Sequence, residues 1–427
     1  MGVTLIMIFF IILLVLGMPI AYSLAVPCVL YFIFLRPGLN SIILLRIFSG
    51  FDSYTFIALP LFITMGKIMS SGGITKMIID VSLIIFGRIK GGLALVNVFA
   101  SMIFGGISGS SVADTASIGS ILIPEMVRRN YSKKETTGIT VASSTVGMII
   151  PPSLPMVIFS VASFESVGKL FLGGAIPGIT VGLLQLLITY ILAEKKDWPR
   201  EKINMTKKEI LNKIFRALPA LIMPLFVVGV IVLGVATATE AAGMGLLYAT
   251  ICGFFIYREL NLEKFLIAIK ESIYMSASLM VIITFTMLLG WIITVEGIPE
   301  IVGNYIFALN LPNYATLLLF GVFLLFIGEF LDVGPAILLV TPVFLPAMRS
   351  LGIDPITFGV VLIVGLSVGL ITPPVGQCLN VASKISGLDI IQIFIGSLPW
   401  ALANIITLIL VCLFPQMSLF LIKLVKF

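Results

Sequence analysis

Apolar segments alternate with short polar ones along nearly the whole chain, and several approach the roughly 20 residues that a helix needs to cross a bilayer. The first two, residues 3–15 and 19–35, are divided by Gly17 and Pro19, and we interpret them as two helices rather than one kinked helix. A span at about 54–69 precedes an amphipathic arm at 74–88, which we expect to lie along the membrane interface. The pattern predicts an all-α, polytopic membrane protein.

The least apolar stretch in this background is GGISGSSVADTASIGS, residues 105–120. The apolar segments on either side, 92–104 and 118–127, are each too short to cross about 30 Å of hydrocarbon. We therefore predict a re-entrant helical hairpin with a polar tip. Backbone that leaves a helix at membrane depth needs partners in protein or water, so the tip is expected to lie in a cavity and to bind a ligand.

A second interruption follows the hairpin, in the apolar span at residues 137–163. This span contains Pro151, Pro152, Ser153 and Pro155. Because proline has no N–H, a Pro-Pro pair inside a span frees the preceding carbonyls from helical hydrogen bonds. Such carbonyls are ligands for a hard cation such as Na⁺. An ordinary span is predicted at 170–193, and the charged residues 194–216 are expected to form a solvated linker.

The pattern repeats after the linker, with five landmarks in the same order and at nearly constant spacing. The matched features are Gly17 with Gly234, MGKIMSSGGI (65–74) with LGWIITVEGI (289–298), Asp114 with Asp332, Pro124 with Pro342, and IIPPS (149–153) with ITPPV (371–375). We therefore divide the chain into a first repeat at 1–193, the linker at 194–216 and a second repeat at 217–427. Each repeat is expected to hold one hairpin and one proline-broken helix.

The basic residues predict the orientation of the two repeats. They concentrate in the linker and at the mouth of the first hairpin, which the positive-inside rule places in the cytoplasm. If each repeat has five crossings and one hairpin, the odd number inverts the second repeat, and its hairpin at about 313–349 opens outward. Paired broken helices from inverted repeats surround substrate and coupling ions near the midplane of secondary transporters.

The two breaks predict two cation sites, and hence at least two Na⁺ ions, because their candidate ligands are all oxygens. The first set is Gly147, Ile150 and Ser153, completed by Ser108, Ser110 or Ser111 from the hairpin tip. The second set is Gly369, Thr372 and Val375, with Gly328 from the second tip. The alternative is a structural proline kink satisfied by neighbouring hydroxyl groups.

Three carboxylates at predicted membrane depth, together with the serines, are candidates for substrate binding. A charge inside a membrane is costly and is usually found where it faces a cavity. For the carboxylates the alternative is helix capping, and for the serines it is close helix packing. The substrate-binding candidates are Ser108, Ser110, Ser111, Asp114, Ser153, Glu329 and Asp332.

Several functional classes are excluded or disfavoured by composition. The chain has no histidine, which excludes His-based catalysis and His metal sites, and no GxxxxGK[ST] motif for ATP hydrolysis. Its net charge is +6, but the basic residues lie between apolar segments, so orientation in the membrane explains them better than nucleic acid does. We predict no enzymatic activity.

Two longer motifs identify a family. GISGSSVADTASIGSILIPEM, followed by the first Pro-Pro break, and GEFLDVGPAILLVTPVFLP, followed by ITPPVG, resemble the large membrane subunit of tripartite ATP-independent periplasmic (TRAP) transporters. The resemblance covers essentially the whole chain. It implies a multi-pass protein of the bacterial inner membrane that imports an organic acid anion, such as sialic acid or a C4-dicarboxylate, with Na⁺ by an elevator mechanism.

The resemblance also implies partners and roles for individual residues. The partners are a small four-helix membrane subunit, expected as a separate chain because this one begins directly with the large subunit, and a soluble periplasmic binding protein. By resemblance, Na⁺ and substrate contacts fall on Ser108, Ser110, Ser111 and Ser153, and a second Na⁺ site falls on Gly328, Gly369, Thr372 and Val375. Asp332 and Glu329 compete for one role at the substrate site.

Two other functions are compatible with some of these features. A self-sufficient Na⁺/dicarboxylate symporter would use the same cation and substrate sites without a binding protein. An intramembrane aspartyl protease would use Asp114 and Asp332 as its paired carboxylates, but the sequence has no GxGD motif and the two residues fall in opposite repeats.

Overall fold

The computed structural model describes residues 16–51, 54–201 and 205–425, together with residues 6, 8–10, 12 and 13. Throughout these ranges the regular secondary structure is helical, which confirms the predicted all-α class. Most of the predicted first span, residues 3–15, lies outside the described residues. The helices are α1 Ile20–Leu30, α2 Asn40–Phe51, α3 Tyr54–Ser71, α4 Ile74–Phe86, α5 Gly92–Ser108, α6 Ser111–Arg128, α7 Lys133–Ser144, α8 Leu154–Ser163, α9 Val167–Lys195, α10 Lys207–Val232, α11 Ala238–Ile251, α12 Leu262–Val295, α13 Ile298–Ala308, α14 Asn313–Phe330, α15 Val333–Ser350, α16 Pro355–Gly369, α17 Gln377–Ser386, α18 Ile390–Leu413 and α19 Gln416–Val425.

Seven of the described helices are long and apolar enough to cross a membrane, and an eighth span is added if a bent pair is counted as one. The bent pair is Phe56–Ser71 with Ile74–Phe86, whose axes meet at 64°. The bend coincides with Gly73, which has a φ of 82° and begins the predicted amphipathic arm. Gly297 begins α13 with a φ of 68°, in the same left-handed region that glycine occupies without steric cost.

Each half contains a helical hairpin with a very short turn. We call α5 and α6 hairpin 1, and α14 and α15 hairpin 2. In hairpin 1, Gly109 turns the chain with a φ of 62°, and a Cβ there would lie 2.7 Å from the backbone nitrogen of Leu154. In hairpin 2, the extended Leu331 and the N-cap residue Asp332 make the turn. The arms of hairpin 2 are each 18 residues long and both are among the seven candidate spans, so their length does not distinguish a re-entrant hairpin from two crossings.

Each half also contains a helix that is interrupted at the predicted Pro-Pro pair. We call residues 133–163 broken segment 1, which comprises α7, a 3₁₀ turn at Thr145–Met148, a non-helical stretch and α8. Broken segment 2 spans residues 355–386 and comprises α16, a non-helical stretch containing Pro373 and Pro374, and α17. Proline cannot donate the next helical hydrogen bond, which is why both helices end where the sequence indicates.

The structure changes two of the matched pairs between the halves. Ser110 is the N-cap of α6 and Asp332 is the N-cap of α15, so these two residues occupy equivalent positions. They are 222 residues apart, as are Pro151 and Pro373. The predicted pairing of Asp114 with Asp332 is therefore wrong, because Asp114 lies one turn inside its helix. At the same spacing of 222 residues Pro124 matches Pro346, so the predicted pairing of Pro124 with Pro342 is wrong as well.

The charged linker is more ordered than a solvated loop. Its first residues complete α9, and residues 207–216 begin α10 behind a Thr206 and Glu209 capping box. Between them, Trp198 is 7% exposed, and the Pro199 carbonyl accepts a hydrogen bond of 3.1 Å from Gly91 N–H. At the same place, the ammonium of Lys90, 2.8 Å from the carboxylate of Asp197, lowers the pKa of that carboxyl. The prediction of a solvated linker is therefore wrong for Trp198 and Glu201, whose side chains are covered at the mouth of hairpin 1, whereas Lys196, Asp197 and Arg200 are exposed as predicted.

Helices α7 and α18 cross with almost no space between their backbones. A Cβ at Gly138 would lie 2.2 Å from the carbonyl carbon of Gly396, and a Cβ at Gly396 would lie 2.4 Å from the carbonyl oxygen of Lys134. Small residues allow membrane helices to approach this closely, so that dispersion and weak polar contacts hold them together. The crossing fixes broken segment 1 against the last long helix of the second half.

Substitution of Gly138 by alanine should separate the two helices and lower stability by at least about 1–3 kcal/mol, the usual cost of overpacking. The measurement is the thermal unfolding midpoint of the purified complex in detergent. The matched control is Gly243→Ala in α11, where a Cβ meets no atom within 4 Å and alanine is the better helix former. Equal midpoints for the two variants would contradict the tight crossing.

Candidate substrate and cation site

The tips of both hairpins and both broken segments converge on one cavity of about 50 Å³. Its wall also includes two residues of α12, Met275 and Leu279. The volume suits one or two water-sized groups and is too small for an organic acid. The lining residues are Gly109, Ser110, Ser111, Val112, Met148, Leu154, Pro155, Ile158, Met275, Leu279, Asp332, Val333, Gly334 and Leu370.

The tip of hairpin 1 is organised by a buried hydrogen-bond cluster. The Ser108 hydroxyl donates to Asp114 Oδ1, and Ser110 N–H donates to Ser108 Oγ at 3.2 Å. The Ser110 hydroxyl oxygen caps α6 by accepting from Ala113 N–H at 3.4 Å. Asp114 therefore does not cap the helix; it holds Ser108, and Ser110 is the cap. Of the alternatives left open by the sequence, capping is excluded for Asp114.

Two buried oxygens of this tip have no hydrogen-bond partner in the described part of the chain. They are Asp114 Oδ2 and Ser111 Oγ, and both side chains are at least 97% buried. Asp114 Oδ2 points at broken segment 1, since a Cβ on Gly147 would lie 2.2 Å from it. A buried carboxylate oxygen without a donor is strongly unfavourable, so this position calls for a proton or a cation.

Broken segment 1 approaches hairpin 1 backbone to backbone. A Cβ on Gly105 would lie 1.9 Å from the Gly147 Cα, so neither residue can carry a side chain. Beyond the contact, the Ser153 hydroxyl donates to the carbonyl of Met148 and closes the non-helical stretch on itself. Ile150 lies in the same stretch, against Gly178 of α9. Of the predicted first ligand set, Gly147 therefore lies directly against Asp114, whereas Ile150 packs against α9 and the Ser153 hydroxyl is bonded within its own segment.

The second half repeats this contact without a buried acid inside the helix. A Cβ on Gly369 would lie 2.4 Å from the Gly328 Cα, which brings hairpin 2 onto broken segment 2. Thr372 Oγ1 donates to the carbonyl of Val368 at 2.8 Å. The carbonyl of Val375 already accepts a hydrogen bond of 2.7 Å from Asn380 Nδ2, a neighbour that sequence reasoning missed.

The two acidic residues of hairpin 2 are separated by their surroundings. Asp332 accepts a hydrogen bond of 2.8 Å from Val333 N–H and also lines the cavity. Glu329 is half-buried and does not belong to the cavity wall. Capping and a place at the cavity wall are thus combined in Asp332, whereas Glu329 does not line the cavity.

Sequence reasoning also missed a polar network behind the cavity. It is formed by Thr145, Gln185, Ser367 and Asn404, all fully buried. The available signal was that Gln185 and Asn404 are isolated amides inside predicted spans, where polar side chains are costly unless they find partners.

Comparison with known proteins gives the family of the chain. Residues 7–417 match the family model for the tripartite ATP-independent periplasmic transporter, DctM component. The C4-dicarboxylate TRAP transporter large permease protein DctM of Pseudomonas aeruginosa is 36% identical over 88% of both chains. The sialic acid TRAP transporter large permease protein SiaM of Vibrio cholerae is 33% identical over 95% of both chains.

A solved structure shares the fold at low sequence identity. The YdaH transporter of Alcanivorax borkumensis superimposes with a TM-score of 0.65 over 89% of both chains, at 17% identity. The sequence relatives are transport permeases rather than enzymes, and they support a multi-pass protein of the bacterial inner membrane. The family model and the sequence relatives, together with the hairpin motifs and the paired breaks, show that the chain belongs to the large permease subunits of TRAP transporters.

Proposed function

We propose that this subunit carries a small organic acid anion across the inner membrane together with Na⁺, and that both bind at the cavity between the hairpin tips. The observation that carries the proposal is the convergence of two hairpins and two broken segments on one cavity. Beside it, on the hairpin 1 helix whose first residues line the cavity, the buried Oδ2 of Asp114 faces the backbone of Gly147. The site offers carboxylate, hydroxyl and carbonyl oxygens, which suit a hard cation.

The first proposed cation site consists of Gly147, Ile150 and Ser153 with Ser110 from the tip of hairpin 1. Asp114 supplies the negative charge, which lowers the cost of transferring a cation from water into the membrane. A cation there would also satisfy the orphaned carboxylate oxygen. Ion binding would therefore hold the tip of hairpin 1 against broken segment 1.

The second proposed cation site consists of Gly328, Gly369, Thr372 and Val375. It depends on neutral oxygens and on the close backbone contact between hairpin 2 and broken segment 2. Because Val375 O is engaged by Asn380, its use as a ligand requires a shared or exchanged hydrogen bond. Helix C-termini and unwound carbonyls bind Na⁺ in this way in other transporters.

The substrate site is proposed where helices α6 and α15 begin, at Ser110, Ser111 and Asp332. Both helices direct their N-termini towards the cavity, and the unpaired N–H groups and helix dipole favour an anion. Relatives include permeases named for C4-dicarboxylate, sialic acid, isethionate and 2,3-diketo-L-gulonate, all of them organic acids. The shared chemistry of these substrates supports an organic acid anion, and Ser108 and Ser153 position the groups that contact it.

An elevator mechanism accounts for the small volume of the cavity. Hairpins 1 and 2 pack with both broken segments, whereas α11 and α12 both pack against α3. We propose that the first group moves against the second, with Met275 and Leu279 of α12 at the sliding surface. The remaining components are a separate small membrane subunit, a periplasmic binding protein and the surrounding lipid, and the two halves of this chain are oriented oppositely in the bilayer.

Removal of Na⁺ tests the coupling directly. The large subunit, its cognate small subunit and the binding protein are reconstituted into vesicles, with the ligand of the binding protein as the radiolabelled probe. Uptake should rise with an inward Na⁺ gradient and fall to background when K⁺ replaces Na⁺, because K⁺ is too large for the same oxygen cage. Equal uptake in both salts would remove the cation assignment.

Asp114→Asn should raise the Na⁺ concentration for half-maximal uptake by about tenfold or more, equivalent to about 1.4 kcal/mol of lost cation binding. The matched control is Asp354→Asn, a helix N-cap outside the cavity wall. The measurement is uptake against Na⁺ concentration at saturating substrate. If the Na⁺ concentration for half-maximal uptake is the same in Asp114→Asn as in wild type, this carboxylate does not contribute to the cation site.

Ser108→Ala and Ser153→Ala should each lower the rate of uptake while assembly with the small subunit stays intact. Each variant removes a hydroxyl whose hydrogen bond holds a segment of the cavity wall in place. Loss of a buried hydrogen bond costs about 1–3 kcal/mol when its partner remains. The control is Ser120→Ala, an exposed serine on the same hairpin whose hydroxyl bonds the carbonyl of Ser117. If both variants take up substrate at the wild-type rate, these serines serve helix packing rather than substrate or cation binding.

A further inference from the structure

A fully buried amide joins the two broken segments behind the proposed site. Asn404 of α18 donates from Nδ2 to Thr145 Oγ1 at 2.7 Å and to Ser367 Oγ at 2.9 Å. Its Oδ1 accepts from Gln185 Nε2 at 3.0 Å. One side chain therefore touches broken segment 1, broken segment 2 and α9 at once.

Thr145 and Ser367 occupy equivalent places in the two segments. They are 222 residues apart, the same spacing that separates Gly147 from Gly369. Each lies two residues before the glycine that contacts a hairpin. Asn404 thus bridges matching positions of the two halves, next to both proposed cation sites.

The hydrogen bonds of this network match in donors and acceptors. The Thr145 hydroxyl donates to the carbonyl of Ala142 at 2.7 Å, and the Ser367 hydroxyl donates to that of Val364 at 2.6 Å. Each hydroxyl can then accept from Asn404, whose two N–H groups are both used. Within the trio Asn404, Thr145 and Ser367 every side-chain donor is used, so a shift of one of them leaves a buried polar group unpaired. The Gln185 side-chain oxygen, by contrast, is buried without a partner in the described part of the chain.

Packing alone does not require this arrangement. Thr407, also fully buried on α18, donates only to the carbonyl of Ala403 on its own helix, at 2.9 Å. A residue at Asn404 could have been satisfied within its helix in the same way. The amide instead connects the two segments whose positions define the two proposed sites.

We propose that Asn404 is a positioning residue that couples the conformations of the two broken segments, so that a cation bound at one site strengthens binding at the other. Displacement of Thr145 weakens its hydrogen bond to the Asn404 amide, and the loosened amide allows Ser367 to move. Displacement of Ser367 affects Thr145 through the same two bonds. Reciprocity of this kind is required of any coupling between two binding sites. The part that concerns cations rests on the proposed function above.

Hydrogen exchange tests the coupling without any cation. The intact complex with its small subunit is measured in Na⁺-free buffer by amide exchange and mass spectrometry. Thr145→Val should increase exchange at residues 369–372 as well as near its own position, by about fivefold, which corresponds to the loss of one buried hydrogen bond. Ser367→Ala should increase exchange at residues 145–150 to a similar extent. The control Thr407→Val should leave exchange in both broken segments unchanged.

Asn404→Leu should abolish these distant effects when it is combined with either variant. Changes confined to the substituted segment, or distant effects that persist in Asn404→Leu, would overturn the proposal. If Asn404→Leu does not assemble, the reciprocal behaviour of Thr145→Val and Ser367→Ala decides it alone.

Uptake measurements then separate the coupling from the proposed function. In wild type, the Na⁺ dependence of uptake should be cooperative, and Thr145→Val or Ser367→Ala should lower the Hill coefficient towards 1. If wild-type uptake does not depend on Na⁺, the cation proposal is refuted. The coupling between the two broken segments is then decided by the hydrogen-exchange experiment. Cooperative Na⁺ dependence that is unchanged in both variants would refute the transmission of coupling through Asn404.

Discussion

A helix that ends inside a bilayer leaves backbone donors and acceptors with no water to bind, and this constraint governs the molecule. The free energy of each unsatisfied group is several kcal/mol unfavourable, so a break is tolerated only where other protein, water or an ion replaces the lost bonds. Four such breaks meet here, two at hairpin tips and two at Pro-Pro pairs, and they share one cavity. The structure that satisfies the broken backbone is the same structure that forms the site.

Close contact between backbones is what allows the breaks to share a cavity. Gly105 against Gly147, and Gly328 against Gly369, bring each hairpin onto a broken segment with no side chain between them. In the first half this contact also places Asp114 beside the backbone of Gly147, which no side chain covers. In the second half the acidic residue, Asp332, lies at the hairpin tip instead of inside the helix. The two equivalent backbone contacts therefore differ in the charge beside them.

Much of the fold could be predicted because the bilayer imposes strict rules on sequence. The hairpin tip at residues 105–120 and the Pro-Pro pairs are local signals: polar residues and missing N–H groups stand out in an apolar chain. The linker was harder, since its charge run predicts solvation but Trp198 and Pro199 bind the mouth of hairpin 1. Hydrophobicity alone does not show which charged segment finds a partner on the protein surface.

The sequence by itself determined the helical membrane class, the hairpin and break positions, and the family, because each depends on residue type and local spacing. Only the tertiary structure decided that Asp332 rather than Glu329 faces the cavity, that Ser110 rather than Asp114 is equivalent to Asp332, and that Asn404 bridges the halves. These facts depend on the rotation of each helix and on contacts between residues more than 200 positions apart. Neither leaves a trace in local composition.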